Sequence, residues 1–239
     1  MAQEKGVVIS MVSSFTPVQA LFHRRLVANV AGLDKSGKTH QALSAPGPVY
    51  VFNFDMGLGG VADKFLAQGK QIYESRYQYS VNTDTGWLDL WLRFKREFAE
   101  ALQALRNGPG TIVVDTATEV RELARLAFHG KVSGIRPRSM GPMNADMNEV
   151  FRPAVHPEVA CNVIFIQKMG PKWVNDARTE EYEVKGWEEF IYLAQANLRV
   201  WRDDAGWHLY VVNCRQNMTL CGLDVPGADF NILLDMVFG

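Results

Sequence analysis

The chain has 239 residues, enough for one large domain with a sizeable core, and its 47% hydrophobic and 21% charged residues exclude a disordered or low-complexity class. Its 25 Lys and Arg nearly cancel its 26 Asp and Glu, so the net charge of −1 provides no global attraction for a polyanion, and any nucleic-acid surface must be local. Three cysteines without CxxC spacing exclude a disulfide framework or zinc site and suit a reducing compartment. With no apolar run of 18 residues and no signal-like start, a cytoplasmic protein without membrane contact is expected.

In chain order, an N-terminal segment is expected over residues 1–24, followed by a single folded unit over 25–239. Arg25 to Ala31 reads as a buried strand running into GLDKSGKT and then a helix from Lys38 to about Leu43. After Pro46-Gly47-Pro48, residues Val49 to Asp55 form a second strand that ends in a carboxylate and a glycine-rich turn. Between Gly86 and Arg106, residues Leu88, Trp91, Leu92, Phe98, Leu102 and Leu105 recur at helical spacing. Thr111 to Asp115 is a third strand, followed by a helix to about Phe128 and another from Met143 to Phe151. Val163 to Gln167 is a fourth strand. Continuous apolar strands alternating with helices predict a parallel α/β core, and Asn197–Arg202 with Trp207–Asn213 around Asp203-Asp204-Ala205-Gly206 predict a C-terminal antiparallel hairpin.

The chemistry is carried by Gly32-Leu33-Asp34-Lys35-Ser36-Gly37-Lys38-Thr39, which matches G-x-x-x-x-G-K-[ST] between a strand and a helix. Its glycines let backbone N–H groups turn inward around phosphates, Lys38 reaches the β and γ oxygens, and the Thr39 hydroxyl is a ligand for Mg²⁺. ATP and Mg²⁺ are therefore the expected cofactors, with His40 completing the nucleotide contacts. Asp115, closing its apolar strand, is placed to hold the metal. Asp55 is a candidate general base, with Glu74 and Glu119 as substitutes. Arg121 to Arg138 carries five cations against Glu122, a local excess of +4 suited to phosphate neutralisation by Lys131, Arg136 and Arg138. Met169 to Phe190 reads as a mobile loop in which Lys172, Trp173 and Arg178 would meet nucleic acid and the indole would stack on a base. The five histidines lack metal-ligand spacing.

Strand order and motifs resemble the RecA-like core, particularly the small RecA-core ATPases of bacteriophages that act in single-strand annealing and recombination. AGLDKSGKTH is similar to the family's phosphate loop, and VVDT at Val113 to Thr116 to its strand ending in Asp. RPRSMGPMNADMNEVF, from Arg136, looks like the first DNA-binding loop. NVIFIQKMG, Asn162 to Gly170, resembles the strand bearing a γ-phosphate sensor, a role that falls on Gln167, before the second DNA-binding loop. NLRVWRDDAGWHLYVVNCRQN resembles the hairpin whose basic end reaches the neighbouring subunit's ATP, and Arg215 is the matching base. The resemblance implies an ATPase that oligomerises as a ring or filament on single-stranded DNA, with Lys38, Asp55, Gln167 and Arg215 in catalysis. Phe15-Thr16-Pro17-Val18 is similar to a Phe-x-x-Ala polymerisation motif. The family's Glu beyond the second strand is replaced here by Asp55-Met56-Gly57, and the large C-terminal DNA-gathering domain of bacterial RecA has no counterpart. An ATP-stabilised single-strand-binding module with negligible hydrolysis and a small-molecule phosphotransferase are the alternatives.

Overall fold

The computed structural model describes residues 23–82 and 86–239, so the Phe15–Val18 motif lies outside the described residues. In chain order the elements are β1 (Val27–Gly32), α1 (Lys38–Ser44), β2 (Val49–Asn53), α2 (Asp63–Ala67), β3 (Ile72–Arg76), α3 (Trp87–Ala104), β4 (Thr111–Asp115), α4 (Ala117–His129) and α5 (Gly141–Phe151). They continue as β5 (Asn162–Val174), β6 (Ala177–Val184), α6 (Glu189–Leu193), β7 (Ala196–Asp203), β8 (Gly206–Cys214), β9 (Asp224–Pro226) and α7 (Phe230–Phe238). The sheet runs β3-β2-β4-β5-β1-β7-β8-β9. From β3 to β7 every pairing is parallel, and β8 then turns back antiparallel on β7. This mostly parallel sheet flanked by helices, with a C-terminal hairpin, is the arrangement that the RecA-like resemblance implies.

Every residue of β1 and of β4 is buried, because helices cover both faces of the parallel sheet. On one face α1 and α7 pack over Val30, Val51, Ile164 and Leu198. On the other, α3, α4 and α5 pack over Val27, Phe52, Ile112 and Phe165, with a run of aromatic ring contacts from Phe52 through Phe94 to Phe151. Helix α3 buries Trp91, Phe94, Phe98, Ala101 and Leu102. Leu88 and Leu92, expected on its apolar face, are half exposed instead. Helix α4 begins at Thr116, whose hydroxyl accepts from the Glu119 N–H, and ends at Gly130 in the left-handed region at φ 64°. Cys161 and Cys214 are buried free thiols.

The stretch from Met169 to Phe190, expected as a mobile loop, is a β-hairpin arm. Beyond Lys168, β5 leaves the parallel sheet and pairs antiparallel with β6, from Met169↔Val184 to Val174↔Ala177. Asn175 and Asp176, at φ 50° and 62°, make the two-residue turn that such hairpins favour. Asp176, Glu180, Glu181 and Glu183 outnumber Lys172 and Arg178, so the arm is acidic. Among the described residues no helix is long and apolar enough to cross a membrane.

Candidate functional site

Parallel strands deliver the loops after β1, β2, β4 and β5 to one edge of the sheet, the usual ligand edge of such folds. After β1 the chain folds into the phosphate loop. Gly32 is required there because a Cβ would stand 2.6 Å from the Val200 carbonyl oxygen, and Gly37 takes φ 96° with the Trp207 ring directly against it. Lys38 Nζ donates to the Leu33 carbonyl oxygen at 2.5 Å, folding the lysine back over the loop. Burial depresses its pKa, the Lys168 charge acts in the same direction, and Asp115, Asp34 and Asp55 oppose both.

The Thr39 hydroxyl donates to Asp115 Oδ2 at 2.7 Å, joining the start of α1 to the end of β4. Asp115 is 2% exposed, and burial pushes its carboxyl up to about 6, an effect that Asp55 reinforces and Thr39, Lys38 and Lys168 counter. Asp55 is brought next to it: the Asp55 N–H donates to the Asp115 carbonyl at 3.3 Å. Lys168 Nζ lies 2.9 Å from Asp55 Oδ1 and 2.6 Å from Glu119 Oε1, so one ammonium holds both carboxylates nearest the site. Burial lowers the Lys168 pKa, but its bonds to Glu119 and Asp55 prevail and raise it. The remaining substitute base, Glu74, sits on the edge strand β3 with Asn53 Nδ2 at 2.7 Å and Arg76 Nε at 2.9 Å.

A cavity of about 590 Å³ opens between the phosphate loop, the turn from Gly57 to Lys64, Asp115 and the β7–β8 hairpin. The residues around it fit a magnesium nucleotide. Among the described residues no group of three His, Cys, Asp or Glu side chains would hold a metal alone. One carboxylate and one hydroxyl are nonetheless what Mg²⁺ takes from a protein when phosphates supply the other oxygens. Ser36 Oγ is buried without a partner inside the loop, a polar atom suited to a phosphate oxygen.

Two residues in this cavity escaped the sequence reading. Arg202 and Trp207 are cross-strand partners at the end of the hairpin, with the guanidinium 4.9 Å from the Trp207 ring centroid. Trp207 in turn lies parallel to His40, with centroids 5.8 Å apart. Because β7 is the parallel neighbour of β1, the hairpin end arrives beside the phosphate loop. The Asp-Asp-Ala-Gly turn was the available signal, but locating it required the strand order.

Gln167 is turned away from this edge. Like Phe165, two residues before it, it points toward the α4 face, and Nε2 donates to the carbonyls of Lys185 at 3.2 Å and Trp187 at 3.3 Å. Arg215 follows β8 at the opposite edge: Cys214 pairs with Ala196, which pairs with Ala28 near the start of β1. There Arg215 donates to the Tyr192 carbonyl at 3.2 Å. Of the cationic stretch after β4, Arg121 is committed to the Gly186 carbonyl and Arg125 to the Val132 carbonyl. Lys131, Arg136 and Arg138 are exposed or partly so. On the arm, Lys172 pairs with Glu181 at 2.8 Å, Arg178 is exposed, and Trp173 is 58% exposed.

No family model matches the chain, and neither does any curated protein. Among solved structures, the chain is similar to an ATPase domain solved on its own, with 12% identity, a TM-score of 0.47, and coverage of 85% of this chain and 80% of that one. An ATPase from the type III secretion system of pathogenic bacteria gives 12% identity and a TM-score of 0.47, with coverage of 74% of this chain and 52% of that one. The uncharacterized protein PH0321 from Pyrococcus horikoshii, solved with an unknown peptide, gives 12% identity and a TM-score of 0.38 over 80% of this chain and 84% of that one.

Proposed function

We propose that the chain is a Mg²⁺-dependent P-loop ATPase with a RecA-like core, acting as assembled copies on single-stranded DNA in annealing or recombination. The observation that carries the nucleotide reading is the Thr39–Asp115 hydrogen bond at the mouth of the phosphate loop. It brings together, from two different strands, the hydroxyl and carboxylate that would hold the metal of a magnesium nucleotide. Loop N–H groups and Lys38 would bind the phosphates, and Mg²⁺, when bound, supplies charge neutralisation on the β and γ oxygens. Asp55 is the carboxylate placed to orient water beside Asp115. Arg215, far from its own phosphate loop, suits a role toward a neighbouring copy's nucleotide.

Support for the DNA partner is the cationic turn of Lys131, Arg136 and Arg138 and the projecting arm with Lys172, Trp173 and Arg178. The second reading, a nucleotide-gated DNA-binding module with little turnover, is favoured by one feature: Lys168 neutralises both Asp55 and Glu119. Phosphate release from Mg·ATP, measured with and without oligo-dT, separates the two. Turnover that oligo-dT stimulates and Lys38→Ala abolishes supports the enzyme. Absence of turnover, with oligo-dT binding that still requires ATP, supports the module. Wild-type turnover by Lys38→Ala would refute the nucleotide site.

A further inference from the structure

Lys168 stands where the phosphate loop, the candidate base and the arm meet. Its Cα partner in the parallel sheet is Gly32, the first glycine of the phosphate loop, and the next residue, Met169, already pairs with Val184 in the arm. Its backbone N–H donates to Thr118 Oγ1 at 3.0 Å, and its carbonyl accepts from the Lys185 N–H at 2.8 Å. By strand alternation its side chain shares a face with Ile164 and Ile166, the face that carries α1, whereas Gln167 points to the other.

The Lys168 ammonium therefore joins the group around Lys38 and Asp115. Its charge is felt by both, pushing the Lys38 pKa down and opposing the rise of Asp115. Its two ion-pair partners are partly exposed, Asp55 at 47% and Glu119 at 23%, and pairs of that kind are weak enough to exchange. A lysine ammonium is a compact point charge that a dianionic terminal phosphate attracts more strongly than a single carboxylate does. The metal-side residues Thr39, Asp115 and Asp55 mark the γ-phosphate end of the cavity, and a diphosphate leaves that end unfilled.

We propose that Lys168 is the residue through which this site distinguishes a nucleoside triphosphate from a diphosphate, its Nζ leaving Asp55 and Glu119 for the terminal phosphate. The exchange frees the Asp55 carboxylate to face water and displaces the root of the β5–β6 arm, so arm position follows the γ-phosphate. The inference rests on the nucleotide reading of the phosphate loop and assigns the sensing role to a different residue, of different charge, from Gln167.

Equilibrium titrations with ADP and with ATPγS, both with Mg²⁺, test it without reference to turnover. Lys168→Met is expected to weaken ATPγS about tenfold while ADP stays within about twofold, and Lys168→Arg to retain most of the wild-type ratio. Glu119→Gln removes one competitor for the ammonium and is expected to tighten ATPγS severalfold relative to ADP; this variant decides the matter if Lys168→Met does not fold. Equal weakening of both nucleotides by Lys168→Met, no weakening of either, or an unchanged ratio in Glu119→Gln would overturn the assignment. A wild-type protein that binds neither nucleotide would instead overturn the reading of the loop, and the role of Lys168 with it.

Discussion

The Thr39 hydroxyl and the Asp115 carboxylate are separated by 76 residues of sequence and 2.7 Å of space. The bond between them shows that the loop after β1 and the end of β4 form one site, and it keeps a carboxylate that burial disfavours in an apolar sheet. A group held in this way for function costs stability.

That cost is measurable. A carboxyl raised to about 6 in the fold stabilises the native state only where it is protonated, so its contribution is full below its unfolded pKa and is lost as pH rises through about 6. The shift corresponds to up to about 3 kcal/mol. Without nucleotide, Asp115→Asn is expected to melt several degrees above wild type at pH 8, with the gap closing toward pH 4. Melting curves across that range check it; a variant less stable at pH 8 would contradict the burial argument.

Gly37→Ala tests the buttress of the phosphate loop. At φ 96° an alanine is strained, and its Cβ would lie 2.4 Å from a Trp207 ring atom. Backbone strain alone costs about 1–2 kcal/mol, with the clash in addition. In denaturant titrations the double variant Gly37→Ala/Trp207→Ala is expected to lose less than the sum of the single variants, because removing the indole removes the clash.

The two kinds of arginine after β4 should behave differently. Arg136→Ala with Arg138→Ala is expected to leave the melting temperature within about 2 °C while flattening the salt dependence of oligo-dT binding, since phosphate contacts release counterions. Arg121→Ala, which removes the donor to the Gly186 carbonyl, is expected to lower stability by about 1–2 kcal/mol instead. An unchanged salt slope in the Arg136/Arg138 double variant would remove that turn from the DNA surface.

Arg215 lies at the edge of the sheet opposite its own phosphate loop, so any role in catalysis must be toward a neighbouring copy. Arginine fingers elsewhere contribute roughly 10³–10⁵ in rate. Mixing Arg215→Ala with Lys38→Ala is expected to restore phosphate release that neither variant shows alone, because some interfaces then pair an intact lysine with an intact arginine. Full activity of Arg215→Ala by itself would assign the residue to a surface contact.

Much of the parallel core was legible in the sequence because buried strands such as Thr111–Asp115 are continuous apolar runs that end in chemistry-bearing residues. The elements left unread have different physics. Strand β3 lies at the sheet edge with an exposed, mixed pattern over Ile72–Arg76, and β6 is a charged strand held by its pairing with β5 and not by a core. Helix α7 is a short apolar run whose period cannot separate helix from strand; its Asp229 cap, accepting from the Ile232 N–H at 2.9 Å, was the local signal available. The phosphate loop and Asp115 were readable as motifs. Lys168, Arg202 and Trp207 were not, since their place in the site depends on which strands neighbour β1.

The central claim is that Thr39 and Asp115 hold the metal of a bound nucleotide. Titrating ATPγS with and without MgCl₂ into wild type, Thr39→Ala and Asp115→Asn tests it most directly. The account predicts that Mg²⁺ tightens binding to wild type about tenfold or more and has little effect on either variant, whose magnesium-free affinities stay within a few fold of wild type. An equal Mg²⁺ enhancement in all three proteins would contradict it.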